Sequence, residues 1–119
     1  MDKIQILLER ICPEIEAQVK PYLRGVAGPI IGNYLPQDWV FETEMESCTL
    51  YVDTEGNARV FPGSGSERDV TIDWKHDSLV AVLESRNSES VQSGDYPNVI
   101  AHTNKGRAAF NLLRKRFGL

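Results

Sequence analysis

The feature that most constrains the fold is a change of hydrophobic period near residue 75. Apolar residues first alternate with polar ones and then recur at helical spacing: Val70, Ile72, Trp74, then Leu79, Val80 and Leu83. Alternation is typical of a half-buried strand, and an interval of three to four residues is typical of an amphipathic helix. The sequence therefore predicts a strand over about 68–73 that leads into a helix over about 76–85.

Three more strands are expected before this point. The apolar sides of the first two alternate with polar residues: Trp39, Phe41 and Met45, then Cys48, Leu50 and Val52. Gly56 lies in the turn that would lead to a third strand over 58–61, because glycine adopts the positive φ that tight turns often need. A short strand over 98–103 and a final helix, capped by Thr103 or Asn104 and stopped at Gly118, complete the prediction.

Helical spacing also governs residues 3–24, where Pro13 predicts either two helices or one bent helix and Pro21 predicts an end near Lys20. The order of elements favours a single α+β domain over 1–119, with a roughly five-stranded, mainly antiparallel sheet and helices on one face. Helices 3–24 come first, an apolar segment 25–36 follows, and 37–119 supplies the sheet and the other helices.

Segment 25–36 combines glycines and prolines with large apolar side chains, namely Val26, Ile30, Ile31, Tyr34 and Leu35. Glycine and proline disfavour a long helix or a central strand there. Two interpretations stay open. The segment is either a loop packed on the edge of the core, or a lid over an apolar cavity or a subunit contact.

Composition excludes several classes of protein. The net charge of -4 and the pI near 5.1 argue against a nucleic-acid partner. No apolar run approaches the roughly 20 residues of a transmembrane helix, and the charged amphipathic start does not match a signal peptide. Cys12 and Cys48 are too far apart in sequence for a metal-type pair, so two reduced, buried thiols are expected. A cytoplasmic location is the prediction.

No motif predicts catalysis, a metal or a cofactor. His76 and His102 lack the spacing of metal ligands, and the glycines near Ser64 lead into a strand, whereas a phosphate loop opens a helix. A Cys48 thiol with His102 as its base is weighed against core packing, which the apolar side of the strand favours. The glutamates at 42, 44 and 46 are interpreted as a solvated strand face. The prediction is that this protein is not an enzyme.

Taken together, the segments over about 41–117 resemble the sterol carrier protein 2 (SCP-2-like) family. The resemblance is carried by strand 48–53, the Gly56 turn and residues 98–106, and above all by Asp69-Val70-Thr71-Ile72, which is similar to the family's Asp-Val-Thr-Ile strand before a helix. Residues 93–97 depart from the family's Gly-Lys-Leu-type strand. The resemblance implies a five-stranded sheet, helices on one face, and an apolar tunnel for a lipid or fatty acyl ligand.

The leading hypothesis is therefore a binding domain with an apolar cavity between sheet and helices. The residues expected to line it are Trp39, Phe41, Met45, Leu50, Ile72, Trp74, Leu83, Ala109, Leu112, Leu113 and Phe117. Segment 25–36 is the expected lid. The alternative is a homodimeric interaction module with a filled core, and a third option is an enzyme in which His102 or His76 acts as a base.

Overall fold

The alternating segments form one five-stranded sheet in the computed structural model, which describes residues 2–26, 28–65 and 67–119. The strands are β1 (Gln37–Glu42), β2 (Ser47–Val52), β3 (Ala58–Pro62), β4 (Val70–Asp73) and β5 (Asn98–Ala101). The helices are α1 (Lys3–Arg24), α2 (Gly28–Gly32), α3 (His76–Ser85) and α4 (Asn104–Leu113), with short 3-10 turns at Ser88–Ser90 and Arg114–Phe117. The predicted α+β class is confirmed.

The sheet is mixed but mostly antiparallel. Its strand order is β3-β2-β1-β4-β5, and only the central pair β1 and β4 is parallel within the described residues. Trp39 of β1 lies opposite Leu50 of β2 and beside Val70 of β4. Because side chains alternate along a strand, this register places all three on one face, here called the inner face.

The helices pack on the inner face and fill the space above it. The sheet contributes Trp39, Phe41, Leu50 and Ile72 to the core, and the helices contribute Ile4, Leu8, Ile11, Ile15, Leu79, Leu83, Leu113 and Phe117. Phe117 packs between Trp39 and Phe41, with ring centroids 5.4 Å and 5.7 Å apart. These rings fill the centre of the layer between sheet and helices, and burial on this scale is the main source of stability.

α1 is a single helix that continues through both of its prolines. The expected end near Lys20 is wrong, because the helix runs on to Arg24. A proline removes one backbone donor, but packing of an apolar face supplies most of the stability of a helix in a protein. Ile11, Ile15 and Val19 form that buried face on both sides of Pro13.

β1 is shorter than the sequence predicted. It ends at Glu42, and the Thr43 hydroxyl then accepts hydrogen bonds from the backbone N–H groups of Met45 (3.1 Å) and Glu46 (3.0 Å). This turn places Met45 in solvent, with 54% of its surface exposed. The expectation that Met45 continues the inner face is wrong, since a side chain–backbone turn replaces the strand.

The start of α4 lies against the sheet with almost no space between them. The Thr103 hydroxyl accepts the Gly106 N–H at 2.9 Å, which caps the helix as predicted. A Cβ on Gly106 would lie 2.8 Å from the carbonyl carbon of Asp69. Only glycine allows this approach of helix to strand.

Replacing Gly106 with alanine should therefore destabilise the fold by about 1–3 kcal/mol, because the new methyl group would overlap the backbone of Asp69, the residue before β4. Urea unfolding would measure the change in free energy. Gly32→Ala is the matched control, since a Cβ on Gly32 meets open space and should change stability by less than about 0.5 kcal/mol. Equal stability of the two variants would contradict the close approach of α4.

Candidate functional site

A large depression in the described part of the chain lies between the β5 edge of the sheet, α4 and residues 88–97. Its volume is about 840 Å³, and we call it the 88–97 groove. Trp74 and Val99 of the sheet and Phe110 of α4 form its apolar surface, to which Val91 and Leu119 add. Glu89, Gln92, Asp95 and Arg114 supply charged and polar groups around it.

Two hydrogen bonds hold the outer wall of the groove to the protein core. The Asp95 carboxylate accepts the Trp74 indole N–H at 2.7 Å and the Ser78 hydroxyl at 2.5 Å. These bonds lower the pKa of Asp95, the Ser78 bond contributing more than the Trp74 bond. The wall is thus attached to both β4 and α3 through one ionised carboxylate.

A second, smaller cavity lies on the opposite side of α4 and is almost entirely apolar. Its volume is about 110 Å³, and it is lined by Val19, Tyr34, Leu35, Gln37, Val52, Ala108, Ala109, Leu112 and Leu113. Three of the predicted residues of α4 meet two residues of the predicted lid here. Segment 25–36 and the last helix thus both border this small apolar space.

Most other predicted lining residues lie in the packed core. Six of them are buried and line neither the groove nor the small cavity, namely Trp39, Phe41, Leu50, Ile72, Leu83 and Phe117. Trp74 is the one residue of the list that lines the groove. The tunnel centre that the list outlined is occupied by aromatic side chains.

Segment 25–36 divides into an exposed and a packed part. Val26 is fully exposed and Ile30 is 63% exposed, whereas Leu35 packs against the core. The side chain of Ile31, part of the predicted lid, lies outside the described residues. The end of the segment therefore borders the small cavity, and its tip faces solvent.

Each histidine lies beside a threonine hydroxyl, and both cysteine thiols are buried. His102 Nε2 lies 2.9 Å from the Thr71 hydroxyl, and His76 Nδ1 lies 3.1 Å from the Thr43 hydroxyl. Neither histidine lines the groove or the small cavity. Burial raises the pKa of Cys12 to about 11 and that of Cys48 to about 12, so both thiols stay protonated near neutral pH.

Two glutamates have roles that the sequence did not indicate. Glu46 accepts the backbone N–H of Ile4 at 2.8 Å and so caps the start of α1, and Glu44 accepts the N–H of His76 at 2.8 Å at the start of α3. The interpretation of these residues as a solvated strand face is wrong. The partners are more than 30 residues away, which is why spacing alone could not find them.

Comparisons with known proteins concern the fold. No family model matches the sequence, and no curated protein matches it. Several solved structures match this chain, and two of them cover nearly all of it, each with a TM-score of 0.49. The UbiJ-SCP2 ubiquinone synthesis protein is 16% identical and covers 91% of this chain and 96% of its own. Sterol carrier protein 2 like 2 (SCP2-L2) from Aedes aegypti is 17% identical and covers 92% and 98%.

Both matched structures are named for SCP2, the family that the sequence resembles. Identities this low concern the fold and not the chemistry of a site. In the described part of the chain, no helix combines the length and the apolar character that crossing a bilayer requires.

The Asp95 attachment predicts a pH dependence. Since the folded-state pKa of Asp95 lies below its ordinary value of 3.8, the attachment is intact above that value and is lost as the pH falls through the lowered pKa. The Trp74 indole N–H resonance should shift in this range, and Asp95→Asn should abolish the titration. The Trp39 indole, which donates to the neutral Gln37 side chain at 2.9 Å, is the internal control. A Trp74 resonance that titrates unchanged in Asp95→Asn would contradict the attachment.

Proposed function

We propose that this protein is a binding domain that takes a lipid, a fatty acyl chain or a similar molecule in the 88–97 groove. The single observation that supports this most is the groove's combination of size and lining. Its volume of about 840 Å³ lies within the range of roughly 300–1,000 Å³ that small-molecule sites occupy. The small cavity, at about 110 Å³, lies well below that range.

The apolar surface of the groove fits an apolar body. Trp74, Val99 and Phe110 come from a strand end, an edge strand and a helix, so their positions are fixed by the packed core behind them. Burying a methylene group against such a surface contributes about 0.8 kcal/mol. An acyl chain of several carbons therefore gains enough free energy to bind without a specific polar partner.

The polar groups around the groove favour an amphipathic ligand. Arg114 lies at the end of α4 among the residues that line the groove, and it makes no ion pair with a described carboxylate. A guanidinium binds a carboxylate or phosphate in a bidentate geometry. The proposed ligand therefore has an acidic head at Arg114 and an apolar tail along Val99 and Phe110.

Filling the groove tests this proposal. Val99→Trp adds a large side chain inside the groove on an edge strand, where tryptophan is well tolerated. The variant should bind dodecanoate at least about tenfold more weakly, because more than about 1.4 kcal/mol of binding free energy from apolar contacts is lost. Displacement of a fluorescent fatty acid by dodecanoate reports this affinity. The measurement is the binding constant of dodecanoate, with the protein at micromolar concentration.

Ile100→Trp is the matched control. Ile100 is the next residue of β5, pairs with Thr71 on the outer face of the sheet and does not line the groove, so this variant should bind as the parent does. Binding that is absent in the parent, or lost equally in the two variants, would overturn the proposal. Native mass spectrometry of the parent protein purified from cells adds a direct search for a co-purified lipid.

A further inference from the structure

The two edge strands of the sheet differ in how their backbone groups are covered. β3 and β5 lie at the two ends of the strand order. In an antiparallel pair, every second residue bonds its N–H and C=O to the neighbouring strand, and the residues between direct theirs away from it. On an edge strand these outward groups can pair with a further strand unless something covers them.

The β3 edge is largely protected. Its outward residues are Ala58, Val60 and Pro62, because the Gly63 N–H bonds inward to a β2 carbonyl at 2.8 Å. The Glu16 carboxylate accepts the Ala58 N–H at 2.9 Å, and Pro62 has no N–H to offer. Val60 is therefore the one outward residue of this strand whose N–H stays available.

The β5 edge has no such protection. The His102 N–H donates to the Asp69 carbonyl at 2.8 Å, so the outward residues of this strand are Val99 and Ala101. Neither the N–H nor the C=O of these two residues bonds to another group in the described part of the chain. The strand, Asn98–Ala101, also lacks the charged side chains that discourage pairing at many natural edges.

The outward residues of β5 are complementary to those of a second copy. A two-fold axis beside Ile100 sets Val99 opposite Ala101 of the second copy, and each outward N–H then meets an outward C=O. Ile100 lies opposite Ile100 of the second copy on the outer face of the sheet. This side chain is 46% exposed in the single chain, and the pairing would bury it against an equally apolar partner.

The two ends of β5 carry exposed charges of opposite sign. At the start of the strand, Asp73 of β4 pairs with Asn98 and is exposed. At its other end, Arg107 is exposed in the first turn of α4. Helical spacing places Arg107 on the same side of α4 as Phe110 and Arg114, which line the groove at the β5 edge.

These two charges are free to attract a partner. Neither Asp73 nor Arg107 forms an ion pair with a described residue. Lys105, which also follows β5, is paired with Asp69 at 3.5 Å, so these two add no net charge at that end. Antiparallel pairing brings the Asp73 end of one copy towards the Arg107 end of the other, whereas parallel pairing would bring acid towards acid.

We propose that two copies of this protein pair antiparallel along β5, so that the sheet of one copy continues into the sheet of the other. The opposite charges at the strand ends favour a second copy as the occupant of this edge. Because β5 has four residues, the contact is small and should dissociate on dilution. The pairing does not depend on a ligand in the 88–97 groove, so each proposal can fail without the other.

Sedimentation velocity from low micromolar to near-millimolar concentration tests the pairing. The mass should rise from 13.4 kDa to about twice that value. Ala101→Pro removes an outward N–H without removing a bond to β4, and the lost bond occurs twice across the axis. It should raise the dimer dissociation constant at least about tenfold. Val60→Pro is the matched control, since it removes an outward N–H from the other edge, and it should leave the constant unchanged.

The side chain on the axis is tested separately. Ile100→Lys would place two ammonium groups opposite each other and should abolish the dimer. Phe61→Lys is its control: Phe61 lies on the outer face of β3 and is exposed to a similar extent, 44%. The dimer should survive this change. Circular dichroism checks that each variant is folded.

Amide exchange locates the contact in the parent protein. The N–H groups of Val99 and Ala101 should exchange more slowly at high than at low protein concentration, and the Val60 N–H should exchange equally at both. A parent that stays monomeric over the whole range overturns the proposal. So does a dimer that survives both Ala101→Pro and Ile100→Lys, since its contact then lies elsewhere, and so do β5 amides whose exchange ignores concentration.

Discussion

One buried carboxylate joins the parts of this fold on which the candidate sites depend. The Asp69 side chain accepts the backbone N–H of Asp38 at 2.9 Å and the Thr103 hydroxyl at 2.7 Å, and Lys105 Nζ lies 3.5 Å away. Asp69 is 5% exposed, so its charge is held in place by donors instead of water. It thereby links the start of β1 to the N-cap of α4.

The position of α4 decides where the 88–97 groove and the small cavity lie. Its Phe110 side faces the 88–97 groove, and its Ala109 and Leu113 side borders the small cavity. Arg107 is exposed on the helix, and the exposed Lys115 follows in the turn after it. The Asp69 contact fixes the start of the helix, and the buried Phe117 fixes the turn after it.

Much of the fold could be predicted from the sequence, because it depends on local patterns. The alternation through Trp39 and Phe41 and the change of period after Val70 identified strands, inner face and α3 correctly. The predictions were wrong where a distant partner decides the local structure. Met45 leaves the sheet because Thr43 forms a turn, and α1 passes Pro13 because its apolar face is buried.

The groove itself was beyond prediction for a related reason. Residues 87–97 are polar and have no periodicity, and what positions them is the bond from Asp95 to Trp74, 21 residues away in sequence. Alternation indicated that Trp74 points inward but not that it borders an opening. At the small cavity, helical spacing places Ala109 and Leu113 on one face of the last helix, and both lie near Tyr34 and Leu35 of segment 25–36.

The central claim is that the ligand site is the 88–97 groove, and the two tryptophans test it most directly. The Trp74 indole N–H borders the groove, and the Trp39 indole N–H is bonded to Gln37, which borders the small cavity. A ¹H–¹⁵N spectrum resolves both indole signals during titration with dodecanoate. If the ligand binds in the groove, the Trp74 signal should show a saturable shift and the Trp39 signal should stay in place. A shift of Trp39 alone, or no shift of either at saturating ligand, would contradict it.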